Sequence, residues 1–192
     1  MKIVIVGCGR VGASLAELYD RAGHEVVIVD NVTSAFDRLP STFGGSAIRG
    51  DGTDEDVLRR AGADGADVFL ALTEGDNRNV MAAQLANEAL GANRVVAKIN
   101  DPVRATAYAE LGIATLCRTG LMMDAVAGYL GLPKTDLPGM LAPSGHHPGG
   151  HHDDGLRTTT LPLPTSIGGE STAPSTASSA VPASQPTATQ EV

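Results

Sequence analysis

A β-branched run passes straight into glycines and then into a helix. Ile3–Val6 reads IVIV, Gly7-Cys8-Gly9-Arg10-Val11-Gly12 follows without a gap, and Val11, Leu15, Ala16, Leu18, Tyr19 and Ala22 recur at helical spacing before Gly23. A short β-branched run closed by glycine reads as a buried parallel strand over 2–6. The spacing after it predicts a helix over 11–22, with Gly23 as its stop. A buried strand that turns tightly into a helix belongs to a parallel sheet, because the chain must cross over before the next strand can pair.

The same alternation continues for about 130 residues. Strands are expected over 25–29, 46–49, 67–72, 94–99 and 114–116, and helices over 53–61, 76–90, 101–111 and 120–130. Thr53 and Asp56 are spaced as a capping box, Asp76 or Asn77 opens the third helix, Gly91 stops it, and Asp101-Pro102 is a cap followed by a first-turn proline. The long connection 31–46 holds a weak helical stretch at most. These signals give an α/β fold: a Rossmann-like doubly wound parallel sheet with helices on both faces.

Composition divides the chain. All six aromatic residues lie before position 130, and Pro, Ser, Thr, Gly and Ala account for 34 of the 51 residues from Ala142 to Val192. Such a stretch offers too little apolar surface to offset the entropy of ordering. The expected organisation is a domain over 1–132 and a disordered tail over 133–192. Net charge is -8, which argues against a nucleic-acid partner. No apolar run reaches the roughly 18 residues of a membrane span, and the N-terminus does not read as a secretory signal. Two cysteines make neither a disulfide framework nor a zinc site, so a reduced cytoplasmic setting is the simplest expectation.

The glycine turn carries the chemistry. Gly7 allows the turn, Gly9 lets the backbone approach a pyrophosphate, and Gly12 lets the helix pack on the strand. The N–H groups of the first helical turn, around Arg10 and Val11, then face the phosphate. Asp30 ends the second strand, where an acidic side chain accepts hydrogen bonds from the ribose hydroxyls of an adenosine and repels a 2′-phosphate. Asp51, in Gly50-Asp51-Gly52-Thr53, has two readings: contact with the adenine or ribose, or a turn that caps the next helix. Thr73 ends strand four beside the phosphate turn. Lys98 ends strand five, where it either meets phosphates of its own or a neighbour's nucleotide or reaches solvent. Arg10, exposed by the turn, covers a terminal phosphate or pairs with another subunit. Cys8 is either a thiol activated by the helix N-terminus or a small buried side chain.

The segments KIVIVGCGRVGASLA, VVIVD, GDGTDEDVLRRAGADGADVFLALTEGDNRNVMAA and VVAKINDP together resemble the nucleotide-binding RCK N-terminal domain of Trk/Ktr-type potassium uptake regulatory subunits. The resemblance covers about residues 1–132. It implies NAD(H) or ATP/ADP as ligand and homo-oligomers, dimers assembling into a ring. It also implies a membrane potassium channel or transporter subunit as partner, and a place at the inner face of the cell membrane. It implies phosphate contacts from Gly7, Gly9, Gly12 and Thr73, a ribose contact from Asp30, a position near the adenine for Asp51, and phosphate or interface roles for Arg10 and Lys98. No catalytic residue is expected.

The helix 120–130 carries one charge and is apolar nearly all round, so it needs cover on most sides, and a partner subunit is one such cover. The second ligand-binding domain of many family members has no counterpart in the tail pattern. His146-His147 and His151-His152 carry metal-ligand chemistry with nothing to fix a geometry, so no metal is expected. Two other functions stay open: an NAD-dependent oxidoreductase, for which a substrate domain and a placed His are missing, and a soluble nucleotide sensor with another partner.

Overall fold

The computed structural model describes residues 1–133, 136–137 and 139–141. The elements run β1 (Lys2–Val6), α1 (Arg10–Arg21), β2 (Glu25–Asp30), a 3-10 segment (Thr33–Arg38), β3 (Ser46–Arg49), α2 (Glu55–Arg60), β4 (Val68–Ala71), α3 (Asp76–Gln84), β5 (Val95–Ile99), α4 (Pro102–Glu110), β6 (Ala114–Cys117), α5 (Arg118–Leu130) and β7 (Met140–Leu141). They form one sheet in the order β3-β2-β1-β4-β5-β6-β7, parallel except for β7.

Alternation along the strands builds a core on each face. Ile3, Ile5, Val26 and Ile28 pack against α1 and the 3-10 segment. Val4, Val6, Val27, Val29 and Phe69 pack against α2 and α3. A third cluster joins α3 and α4 through Val80, Ala97, Ile99 and Ala105. Each fully buried Val, Ile or Phe contributes about 1.5–3 kcal/mol, and the inner strands consist almost wholly of such residues.

The local signals hold with four changes. Gly23 and Gly91 end their helices in left-handed backbone, and Asp101 caps α4 through the N–H groups of Val103 and Arg104. The α2 cap, however, is Asp54, which accepts from Asp56 and Val57. Thr53 is already committed, because its N–H and hydroxyl both donate to Asp51. No side chain caps α3 at Gly75: Asp76 instead accepts from the backbone N–H groups of Asn100 and Asp101, fixing the start of α4 beside it. Helix α3 also widens into a π-helical turn over Leu85–Ala89, closed by Leu90 N–H to Leu85 O at 3.1 Å. Strand β7 was not expected; it pairs with Thr115 and Leu116 at the sheet edge. The expected tail beyond residue 141, with its His pairs, lies outside the described residues.

Candidate functional site

A cavity of about 460 Å³ opens at the carboxyl ends of β1, β2 and β4, between the glycine turn and the loops after β2 and β3. Gly7 sits at φ +106, and a Cβ there would lie 2.9 Å from the backbone of Leu72 and Thr73. Gly12 is equally constrained, since its Cβ would stand 2.0 Å from the Gly7 carbonyl oxygen. Gly9 differs: a Cβ there meets nothing within 4 Å. The fold needs glycine at 7 and 12, whereas at 9 the absent side chain leaves open space in front of the helix. No side chain caps α1, and no acidic residue lies in its first turn. Its first N–H groups and the positive end of its dipole therefore face the cavity without a capping side chain.

Asp30 is braced from two sides. Its Oδ2 accepts from Cys8 N–H at 2.7 Å and its Oδ1 from Val32 N–H at 2.9 Å. Each oxygen keeps a second lone pair for a ligand hydroxyl. Asp51 lines the opposite wall. The Thr53 N–H and hydroxyl on its carboxylate hold it below the usual aspartate range, so it faces the cavity as an anion. Two cations that the sequence reading did not single out also line the cavity: Arg38, whose Nη1 donates to Ala35 O at 3.2 Å, and Arg78 of α3. Both lie outside any glycine motif, one in a long connection and one in the first turn of α3, so spacing gave no signal for them.

The far wall is Thr73 and Glu74. Thr73 is fixed by Asn79, which is fully buried. Asn79 Oδ1 accepts from Thr73 N–H at 2.8 Å and from its hydroxyl at 2.7 Å. Asn79 Nδ2 donates to Thr73 O at 3.0 Å and to Lys98 O at 2.8 Å. Glu74 pairs with Lys98 at 3.5 Å.

Of the nine residues expected at the site, Gly7, Gly9, Arg10, Asp30, Asp51 and Thr73 line the cavity. Val11 and Gly12 do not: the Val11 side chain is exposed and Gly12 serves packing. Lys98 is set back behind Glu74 and buried, so the solvent reading of that residue is overturned. The activated-thiol reading of Cys8 is also overturned. Burial, and then the Asp30 charge, push its thiol up from the ordinary range, and its Sγ donates to Ala35 O at 3.3 Å.

Helix α5 buries only Gly120 and Ala127. Met122, Met123, Val126 and Tyr129 stand exposed, the last at 91%, and the first three border an apolar concavity with Leu132 and Pro133.

A doubly wound sheet with a glycine turn and an acidic residue closing its second strand defines a Rossmann-type domain with its crevice at the topological switch point. Residues 3–119 match the TrkA-N domain family, and the chain belongs to it. It is 43% identical over 145 residues to the Trk system potassium uptake protein TrkA of Streptomyces coelicolor, across 76% of this chain and 65% of that one. It therefore spans slightly less than two thirds of that relative's length. The fold is also that of the Shewanella denitrificans Kef C-terminal domain solved in its AMP-bound form (TM-score 0.54, 22% identity, 69% of this chain and 83% of that one). It is shared too with the GsuK channel bound to NAD (TM-score 0.55, 19% identity, 66% of this chain and 23% of that one).

Proposed function

We propose that the crevice binds an adenine nucleotide, NAD(H) or ATP/ADP, and that ligand exchange there regulates a membrane potassium channel or transporter subunit. The observation that carries this reading is the uncapped α1 N-terminus opening through Gly9 onto the same cavity as Asp30. An N-terminus of this kind suits a phosphate, and a carboxylate at the end of β2 suits a ribose. The residues present fit the group: Gly9 leaves room for it, Arg10, Arg38 and Arg78 offer positive charge, and Asp30 retains acceptor capacity. The AMP and NAD of the structural neighbours, and the potassium-uptake name of the Streptomyces relative, agree with it.

The domain acts by binding rather than by catalysis. His24 lies at the amino end of β2, the opposite end of the sheet from the crevice, which disfavours the oxidoreductase alternative. No helix among the described residues is long and apolar enough to cross a membrane. In this reading the protein sits at the inner face of the membrane through its partner, as a homo-oligomer assembled in part through α5. Titration calorimetry of the full chain with ATP, ADP, NADH and NAD, alongside Asp30→Ala, tests the site. Micromolar binding of at least one ligand, lost in the variant, supports it; no binding of any refutes it. Co-purification of a potassium channel subunit separates this function from a nucleotide sensor with another partner.

A further inference from the structure

The Lys98 side chain is only 8% exposed, yet its ammonium has a weak hold. Its anion is Glu74 Oε1 at 3.5 Å, and no hydrogen bond from Nζ accompanies that contact among the described residues. Glu74 itself is 84% exposed. Its other oxygen lies 4.0 Å from Arg118 Nη1 at the head of α5, and the residue forms part of the crevice wall. Burying an ammonium is costly unless a close partner compensates. An exposed carboxylate at that distance gives up side-chain freedom for little attraction. A phosphoryl group, with more charge and three acceptor oxygens, is a stronger partner.

We propose that Glu74 is a specificity-determining gate on the third phosphate of a nucleoside triphosphate. The inference rests on the adenine-nucleotide reading of the crevice. Two phosphates of any such ligand occupy the glycine turn, and a third extends past Thr73 to the position where the Glu74 carboxylate stands between Lys98 and Arg118. A triphosphate must displace that carboxylate, whereas a diphosphate or a dinucleotide leaves it in place. Glu74 thereby sets the balance between triphosphate and diphosphate, and its release frees Arg118 at the first residue of α5.

The test is calorimetry of the full chain with ATP, ADP and NADH for the wild type, Glu74→Gln, Lys98→Gln, and Glu74→Gln combined with Lys98→Gln or with Arg118→Gln. Glu74→Gln is expected to tighten ATP about fivefold, the factor one unit charge at about 4 Å supplies in water-like surroundings. ADP and NADH should change less than twofold. The ATP gain should disappear with Lys98→Gln and shrink with Arg118→Gln, an exposed site whose replacement does not threaten folding. Equal gains for ATP and ADP, no gain, or a gain that survives both double substitutions overturns the gate. If ADP or NADH binds while the ATP-to-ADP ratio stays fixed, the gate alone fails. If none of the three binds any of the five proteins, the nucleotide reading fails with it.

Discussion

Replacing Asn79 with alanine removes four hydrogen bonds at once. Two are accepted from Thr73 and two are donated, to Thr73 O and to Lys98 O. Each neutral hydrogen bond contributes about 1 kcal/mol net, and a buried donor left without a partner costs about 1–3 kcal/mol. The half-buried Thr73 N–H loses its acceptor, and the buried Lys98 carbonyl loses its donor. The Thr73 hydroxyl keeps two long contacts, to Gly75 O and from the Gly75 N–H, both at 3.4 Å. Allowing for partial relaxation, the loss is about 3 kcal/mol, a large share of the 5–15 kcal/mol that holds a typical domain together. The chain has no tryptophan, so urea unfolding is best followed by circular dichroism at 222 nm. With a slope of about 1.5 kcal/mol/M, the midpoint should fall by about 2 M. Asn79→Asp should be no better, because it sets a carboxylate against two carbonyl oxygens. A fall of less than about 0.5 M for Asn79→Ala would show that Asn79 is not the staple between Thr73 and β5, and the account of the far wall would fail.

Gly9→Ala should leave the unfolding free energy from urea titration within about 0.5 kcal/mol of wild type, since its Cβ meets nothing, while calorimetry shows nucleotide affinity lost; Gly12→Ala should cost about 2 kcal/mol or more through its clash with Gly7 O. Native-state alkylation of Cys8 at pH 8, read by mass spectrometry, should be at least tenfold slower than for a free thiol, and a rate equal to the free thiol would refute its burial. Because its folded pKa is raised, Cys8 stabilises fully below the unfolded value of about 9 and loses that contribution as pH rises beyond it. Cys8→Ala should therefore flatten the alkaline limb of the stability curve. Val126→Glu on the exposed face of α5 should shift the chain toward monomer in light scattering after gel filtration, with less than about 0.5 kcal/mol change in stability.

The sequence was most informative where one residue type had one physical job. Gly7, Gly12, Gly23 and Gly91 were readable because only glycine fits each place, and Asp101-Pro102 because capping and the first-turn proline act over neighbouring residues. The doubly wound parallel sheet followed from the strand–helix alternation and the right-handedness of its crossovers. Asn79 was not legible, since a polar residue inside a helix looks the same whether it faces water or staples two strands. Lys98 was placed at the right strand end, but its burial is set by tertiary packing and its partner Glu74 lies 24 positions earlier in the chain. Thr53 lost the cap to Asp54 because Asp51 competes for its hydroxyl. Strand β7 has only two residues, too few to show a period, and Arg38 and Arg78 reach the cavity through tertiary folding alone.

The two edges of the sheet limit how copies of this domain can join. One edge is β3, with four residues, and the other is β7, with two. Among the described residues both edges are short, and β7 covers part of the edge that β6 would otherwise present. Short edges of this kind disfavour continuous backbone pairing between domains. Association is left to side chains on helix surfaces, where a few substitutions can retune the strength and geometry of an assembly without disturbing the sheet.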